Sequence, residues 1–217
     1  MEIGDARRAV RRAAIALATI AAMAALACVG GARARRGGER QAAQDGMVHV
    51  LFQTELGDIE VALDTVHAPI TAQNFLRYVD RGFYDGGRFF RTVKPDNQPN
   101  DKVKIEVIEA SINPAHMRED GPPIPLERTS KTGLHHLDGT LSMGRNGPDT
   151  ATSFFSICVG DQPALDFGGG RNPDGQGFAA FGRVMRGMDV VRKIQASAAQ
   201  GQRLTPAVKI IKATRVP

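Results

Sequence analysis

Few side chains of this chain have the types and spacing that nucleophilic or metal chemistry requires. The pair His135-His136, with His116 earlier in the chain, is the strongest candidate for a metal site, but its spacing matches no zinc pattern. Cys158 lies in an apolar, strand-like stretch, which favours a small buried residue over a reactive thiol. The glycine-rich stretch 167–177 precedes neither a Lys-Ser/Thr pair nor a helix, so it is not a phosphate loop. We therefore expect no metal and no cofactor.

The positive charge of the chain is concentrated near its N-terminus. The 217 residues carry a formal net charge of +5, and residues 1–46 contribute eight arginines against four acidic residues, which is +4. The rest of the chain is therefore close to neutral and lacks the basic excess of a nucleic-acid-binding domain. We predict no nucleic-acid partner. The length suits one well-buried domain with a tail.

The first 32 residues have the order of an export signal. An uncharged, alanine-rich stretch over 13–32 follows four basic residues, namely Arg7, Arg8, Arg11 and Arg12. This order is typical of a signal peptide, and about 20 apolar residues can also span a bilayer. The sequence leaves open whether the segment is cleaved, lipidated at Cys28 or retained, with membrane association through residues 13–32. We expect an extracytoplasmic location, whether periplasmic, membrane-anchored facing outward, or secreted.

These patterns divide the chain into three segments. Residues 1–32 are the predicted signal peptide or membrane anchor, residues 33–46 are a polar, flexible linker, and residues 47–217 hold the folded domain. Helical spacing predicts two helices in the domain, one from Pro69 to a cap at Gly82 and one over 188–196. Strand-like patterns predict eight strands, over 48–54, 59–63, 88–93, 103–108, 139–143, 153–159, 178–184 and 208–216.

Turn-forming residues separate the predicted strands. Gly57-Asp58 indicates a hairpin turn between the first two strands, and 94–101 is a polar loop. The prolines of the stretch 113–134 are incompatible with a central strand, so this stretch is predicted to be irregular. Many short strands with two helices are typical of a mainly β fold, a closed antiparallel barrel capped by helices.

Several blocks of the sequence resemble the cyclophilin family of peptidyl-prolyl cis-trans isomerases, in the order and spacing of that family over about 48–216. The blocks are TELGDI (54–59), APITAQNFL (68–76), GFYDG (82–86), FFR (89–91), GTLSM (139–143), PDTATS (148–153), FGRV (181–184) and GMDVV (187–191). The resemblance implies a closed eight-stranded antiparallel barrel capped by two α-helices, with a peptide groove on its outer face. It also implies isomerisation of X-Pro bonds in protein folding, with proline-containing polypeptides as partners.

The implied reaction needs no nucleophile, base or metal. Its barrier of about 18–20 kcal/mol comes from amide resonance. A pocket for the proline ring and a fixed donor near the prolyl nitrogen or the neighbouring carbonyl lower it, because they favour the twisted amide. The resemblance places Arg91 in the family's catalytic position, where a guanidinium stays charged in an apolar groove. Alone, an arginine at a strand end is usually a solvated surface residue.

The resemblance also suggests the substrate-binding residues, which are Phe89, Glu109, Met143, Phe155, Ser156, Leu165 and Phe178. Glu109 stands where the family has glutamine, and either pairs with Arg91 or points to solvent. Ser156 replaces a pocket aromatic ring, and Phe178 or Phe154 can supply the lost apolar wall. Met143 is also a candidate groove residue, although a flexible methionine at such a position favours a core-filling role.

These departures leave two alternatives beside an active isomerase. One is a catalytically weak proline-peptide binding or chaperone-like module on the same barrel, which the changes at Glu109 and Ser156 favour. The other is a structural envelope protein that uses the barrel only as a scaffold, and it predicts no proline-dependent binding. Arg91 favours the enzyme.

Overall fold

Antiparallel pairing joins the strands of this domain into a barrel. The computed structural model describes residues 46–216. Its strands are β1 (Met47–Thr54), β2 (Gly57–Asp64), β3 (Arg88–Val93), β4 (Val107–Ser111), β5 (Thr140–Met143), β6 (Phe155–Cys158), β7 (Ala179–Arg186), β8 (Ala199–Gln200) and β9 (Arg203–Val216). They pair in the order β1-β2-β7-β5-β6-β4-β3-β9, and β1 also pairs with β9, which closes an eight-stranded barrel. The two-residue β8 adds to β9 at the rim.

The barrel interior is filled by every second residue of the strands, because successive side chains of a strand point to opposite faces. Ile59, Val61 and Leu63 of β2 are all fully buried. An aromatic cluster occupies the centre, where the rings of Phe75 and Phe155 meet edge to face at a centroid distance of 5.0 Å. This interior confirms the predicted fold class, a closed antiparallel barrel.

Within residues 46–216, three α-helices accompany the barrel: α1 (Pro69–Asp80), α2 (Thr129–Thr132) and α3 (Met188–Ala196). The first and last confirm the two predicted helices, whereas α2 is a single turn within the stretch 113–134, which was predicted to be irregular. At the end of α1, the Gly82 and Phe83 N–H groups donate to the Val79 and Tyr78 carbonyls. Gly82 has a φ of 68°, so the predicted glycine cap is present.

The turn of the first hairpin lies two residues earlier than predicted. Thr54 pairs with Gly57, so Glu55 and Leu56 form the turn, and Gly57-Asp58 begins β2. The Thr54 hydroxyl donates to the Gly57 carbonyl and accepts from the Leu56 N–H, which closes the turn. This side-chain closure is why the turn forms without a glycine at its centre.

The strand predicted over 103–108 begins only at Val107. The Gln98 side-chain amide donates to the Ile105 carbonyl at 2.7 Å and accepts from the Ile105 N–H at 3.2 Å. Ile105 therefore satisfies its backbone without a neighbouring strand. Its side chain joins a small apolar cluster on the outside of the barrel, called the outer cluster here, which comprises Val93, Ile105, Val107, Cys158 and Leu165.

The last strand is longer than predicted and starts at Arg203 instead of 208. Its pairing with β3 jumps from Phe89↔Val208 to Arg91↔Arg203, so residues 204–207 are left out of the ladder. Such a bulge is not visible in a strand pattern, because it depends on the partner strand.

The predicted signal or anchor over 1–32, including Cys28, lies outside the described residues, as does nearly all of the predicted linker. The folded unit spans Gly46–Val216. Within it, no helix is long and apolar enough to cross a membrane.

Candidate active site

A bulge in β3 directs Arg91 to the outside of the barrel. The register of β3 shifts between Phe89 and Arg91 in its pairing with both β4 and β9. In a regular strand, residues two apart share a face, so Phe89 and Arg91 would point the same way. With the bulge, Phe89 is fully buried and the Arg91 side chain is 38% exposed. The bulge thus places the guanidinium on the outer surface while the aromatic ring stays inside.

The Arg91 guanidinium is held by two side chains. The Gln202 Oε1 atom accepts from its Nε and Nη2 atoms at 2.9 and 2.6 Å, and the Glu109 Oε2 atom accepts from Nη1 at 3.0 Å. Of the two alternatives for Glu109, the structure thus shows the ion pair. A guanidinium has five N–H groups, so one on each terminal nitrogen remains available to a peptide. Gln202, in turn, donates to the Asn97 carbonyl at 3.1 Å.

A row of paired residues crosses the outer face of the barrel from Arg91. Arg91 pairs with Glu109, Glu109 with Ser156, and Ser156 with Ser142. These residues therefore form a continuous floor over β3, β4, β6 and β5. The floor is polar, because Ser156 has no aromatic ring to offer.

Three residues predicted to bind substrate lie inside the barrel instead. Phe89 and Phe155 are fully buried and Met143 is 1% exposed, and all three belong to the barrel core. Phe155 precedes Ser156 in a regular strand, so the two side chains face opposite sides and only Ser156 faces outward. Met143 pairs with Phe155 and shares its inward direction. These three residues are corrected to core residues.

The other predicted residues gather around one cavity of about 250 Å³ on the outer face, lined by Arg91, Glu109, Ser156, Leu165 and Phe178 among others. Leu165 is in the outer cluster, and its carbonyl accepts from the Phe178 N–H at 2.9 Å. Val93, Ile105 and Val107 of the same cluster also line the cavity and were missed from the sequence. A strand pattern shows them as apolar but does not show that loops cover this outer side.

Phe154 does not join this cavity. It lines a different one that also includes Arg91, and its ring meets Phe90 edge to face at 6.0 Å. Phe154 and Phe178 therefore lie on two sides of Arg91 and do not form one aromatic pocket. Phe178 alone supplies the aromatic wall of the smaller cavity.

The glycine-rich loop 167–177 is fastened beside this cavity by Arg145. The Arg145 side chain is 1% exposed, and its terminal nitrogens donate to both Asp174 carboxylate oxygens at 2.7 and 3.0 Å. Its Nε donates to the Gly177 carbonyl, and its guanidinium lies 5.0 Å from the Phe178 ring centroid. The hydrogen bonds from Arg145 lower the pKa of Asp174 to about 2. This clamp holds the loop and the Phe178 ring in place.

His136 anchors the chain segment that carries Leu165. Its buried ring bonds the Asp166 carboxylate at 2.6 Å through Nδ1 and the Ser142 hydroxyl at 2.9 Å through Nε2. Burial lowers the pKa of His136, which favours the neutral ring. Burial alone would raise the pKa of Asp166, but hydrogen bonds from His136 and His135 outweigh it and lower that pKa. The network ties β5 to the loop behind Leu165.

Neither the three candidate metal-binding histidines nor the Cys158 thiol lines the cavity beside Glu109 and Phe178. His135 and His136 share the Asp166 carboxylate, and His116 pairs with Glu119. Within residues 46–216, no cluster of three or more acidic, histidine or cysteine side chains could hold a metal. Cys158 is fully buried in the outer cluster, and burial raises the pKa of its thiol. A buried, protonated thiol of this kind is unreactive.

Comparison with known proteins finds one family along the domain. The family model described as "Cyclophilin type peptidyl-prolyl cis-trans isomerase/CLD" matches residues 49–215. The chain is 37% identical over 147 residues to peptidyl-prolyl cis-trans isomerase A of Dickeya dadantii, covering 67% of this chain and 70% of that protein. It is 33% identical over 147 residues to peptidyl-prolyl cis-trans isomerase B of Escherichia coli, covering 67% and 83%.

Solved structures agree on the fold. A cyclophilin type peptidyl-prolyl cis-trans isomerase of Cryptosporidium parvum superposes with a TM-score of 0.63 at 19% identity, covering 79% of this chain and 98% of that one. A crystal structure of the same protein in the presence of the dipeptide Ala-Pro gives a TM-score of 0.62.

Proposed function

Because the chain belongs to the cyclophilin-type peptidyl-prolyl cis-trans isomerase family, we propose that the cavity beside Arg91 is where it isomerises X-Pro bonds. The activity itself follows from the family and from isomerase relatives such as those of Dickeya dadantii and Acinetobacter baylyi, 37 and 38% identical to this chain. The proposal concerns the residues that perform it.

In the proposed complex, the proline ring lies against the apolar wall of Leu165, Phe178 and Val107. The available N–H groups of Arg91 donate to the peptide carbonyl and to the prolyl nitrogen. As the amide twists, its nitrogen becomes pyramidal and its lone pair is no longer delocalised into the carbonyl, so a donor to that nitrogen stabilises the transition state more than the planar ground state. No covalent intermediate or proton transfer is required.

The observation that carries this proposal is the threefold fixing of the Arg91 guanidinium by Gln202 and Glu109. A donor that is already oriented needs no reorganisation when the amide twists. Glu109 reduces the net charge at this point but leaves one N–H on each terminal nitrogen. The fixed geometry therefore favours an isomerase over a catalytically weak binding module.

The test is the isomerisation rate of a short Ala-Pro peptide with the full chain and its Arg91→Ala variant. Loss of one preorganised donor predicts a fall in kcat/KM of about 100-fold. Arg183→Ala, at an exposed arginine on β7, is the matched control and is expected to keep the wild-type rate. If wild type is no faster than Arg91→Ala while both still bind the peptide, the binding-module alternative replaces the proposal.

We also infer that the domain is exported and acts on polypeptides outside the cytoplasm, as a periplasmic, outward-facing or secreted protein. The arginines before the uncharged stretch 13–32 support this inference. A fusion of the full chain to alkaline phosphatase, which is active only after export, is expected to be active, and a fusion lacking residues 1–46 inactive. Equal activity of the two fusions would contradict export.

The same fusion addresses membrane association. If residues 13–32 are retained, the full chain is expected in the membrane fraction after alkaline washing. Release of the mature domain into the soluble fraction indicates cleavage. If the wild-type chain stays in the membrane fraction and the Cys28→Ser variant does not, the chain is lipidated at Cys28.

A further inference from the structure

A cavity of about 770 Å³ lies on the other side of Arg91 from the proposed proline site. Its walls are β3 and the bulged residues 204–207 of β9. These residues form a wall because they are left out of the pairing between β9 and β3. Arg91 lines both cavities, so the two are adjacent and share its side chain.

The charges of this cavity are of one sign. Arg88, Arg91 and Arg203 line it, and none of its lining residues is acidic. Arg91 and Arg203 are direct cross-strand partners, an arrangement that is unfavourable for like charges. In the part of the chain that the structure describes, Arg91 has Glu109 as its ion-pair partner, whereas neither Arg88 nor Arg203 has any. An anion placed here would relieve that repulsion.

The remaining wall suits a polypeptide side chain. Phe90 and Phe154 form an aromatic surface, Leu204 is buried beside it, and Ser111 and Gln200 offer polar atoms. Such a mixture accommodates an aliphatic stem with a charged end. A glutamate or aspartate side chain has this form.

We propose that this cavity binds an acidic side chain of the substrate polypeptide, within about three residues of the prolyl bond. The inference rests on the proposed function, because it assumes that the proline ring occupies the smaller cavity, across Arg91 from the basic cavity. An extended peptide rises by about 3.3 Å per residue, so a chain that passes Arg91 reaches the basic cavity within a few residues. The isomerase then prefers acidic segments around proline.

The experiment uses the full chain and four pairs of short peptides. Each pair carries Glu or its isostere Gln at the second or third residue before or after proline. At low salt, at least one Glu peptide is expected to show a kcat/KM about five-fold above that of its Gln partner. This ratio corresponds to about 1 kcal/mol, which is what a partly exposed ion pair contributes. This advantage is expected to shrink at high salt.

Two variants locate the effect. Arg203→Gln is expected to remove most of the Glu advantage, measured as the ratio of the Glu rate to the Gln rate within each peptide pair, and Arg88→Gln to reduce it further. Lys212→Gln, which makes the same charge change at an exposed site further along β9, is expected to leave the advantage intact. Equal rates for all Glu and Gln partners, or an advantage that survives Arg88→Gln/Arg203→Gln, would overturn the inference.

The failure of this inference and that of the proposed function are distinguishable. Turnover of the neutral Gln peptides reports the isomerase alone. If these peptides are not turned over at all, the proposed function fails, and the preference for acid is read from the dissociation constants of the same peptides. Tighter binding of Glu peptides that depends on Arg203 then still supports the basic site, and equal binding overturns it.

Discussion

Replacing Gln202 by alanine tests whether the orientation of Arg91, and not only its presence, supports catalysis. Gln202 touches Arg91 through one oxygen atom, which accepts from two guanidinium nitrogens. In Gln202→Ala the guanidinium keeps its charge and its bond to Glu109, but it becomes free to rotate about that single contact. The variant therefore changes the position of the donor without removing it.

The expected effect is about five-fold in kcat. Hydrogen bonds to a charged group contribute about 1.5–3 kcal/mol when they are buried. The Arg91 side chain is 38% exposed, so water replaces part of the loss, and we take about 1 kcal/mol, or about five-fold in rate. The loss is expected in kcat more than in KM, because the oriented donor acts in the transition state.

The assay is isomerisation of an Ala-Pro peptide measured by NMR exchange, which gives kcat and KM separately. Gln53→Ala is the matched control, since Gln53 is exposed on β1 and lines neither of the two cavities beside Arg91. In the Arg91→Ala background, Gln202→Ala is expected to have no further effect. A wild-type kcat in Gln202→Ala, or an equal loss in both Arg91 backgrounds, would refute the reasoning.

Glu109→Gln keeps an acceptor for Arg91 but removes the neutralising charge, so kcat/KM is expected to rise by about three-fold in the same assay. Asp174→Asn breaks the clamp from Arg145 and is expected to raise KM and speed proteolysis of the loop 167–177. Since the pKa of Asp174 is about 2, the wild-type clamp contributes fully well above the ordinary aspartate pKa near 3.9 and is lost as pH falls from there through about 2. Proteolysis of the wild-type loop at pH 5.5 and 7, normalised to the protease's activity on an unrelated substrate, should therefore match. Burial lowers the pKa of His136, so the unfolded chain takes up a proton near pH 6.5 that the folded chain does not. Below that pH, the free energy of unfolding should therefore fall by up to about 1.4 kcal/mol per pH unit.

Each of these predictions has its own control. Glu106→Gln changes a charge on the same segment at a side chain that bonds Gln195 and not Arg91, so an equal rise there would show a general charge effect. Asp161→Asn, which removes a charge at an exposed side chain outside the clamp, is the control for Asp174→Asn and is expected to leave KM and proteolysis of the loop unchanged. For His136, urea unfolding of His136→Gln is expected to show a shallower dependence on pH between about 7 and 5.5, and an unchanged slope would contradict the burial argument.

The fold was largely predictable from the sequence. The alternation of apolar residues in β2, the Pro69 start and Gly82 cap of α1, and the apolar face of α3 are local features, and each formed where it was expected. The family blocks extended these local patterns to the closed barrel and to the isomerase activity.

The side-chain directions at the site were less predictable. The family resemblance predicts both Phe155 and Ser156 at the groove, but neighbours in a regular strand face opposite sides, and of the two only Ser156 lines the cavity beside Arg91. The family resemblance suggests Phe89 as a groove residue, but the bulge between Phe89 and Arg91 leaves Phe89 inside the barrel.

The composition and order of residues thus specified the strands, the helices and Arg91, the arginine that we propose as the hydrogen-bond donor. The sequence already offered Glu109 as a partner of Arg91, but Gln202 came only from the closed barrel, which brings the turn between β8 and β9 to Arg91 from 111 residues away in the chain. The basic cavity likewise exists only because β9 bulges where it pairs with β3. Bulges and register depend on which strands meet, and such long-range pairing leaves no mark on the pattern of either strand alone.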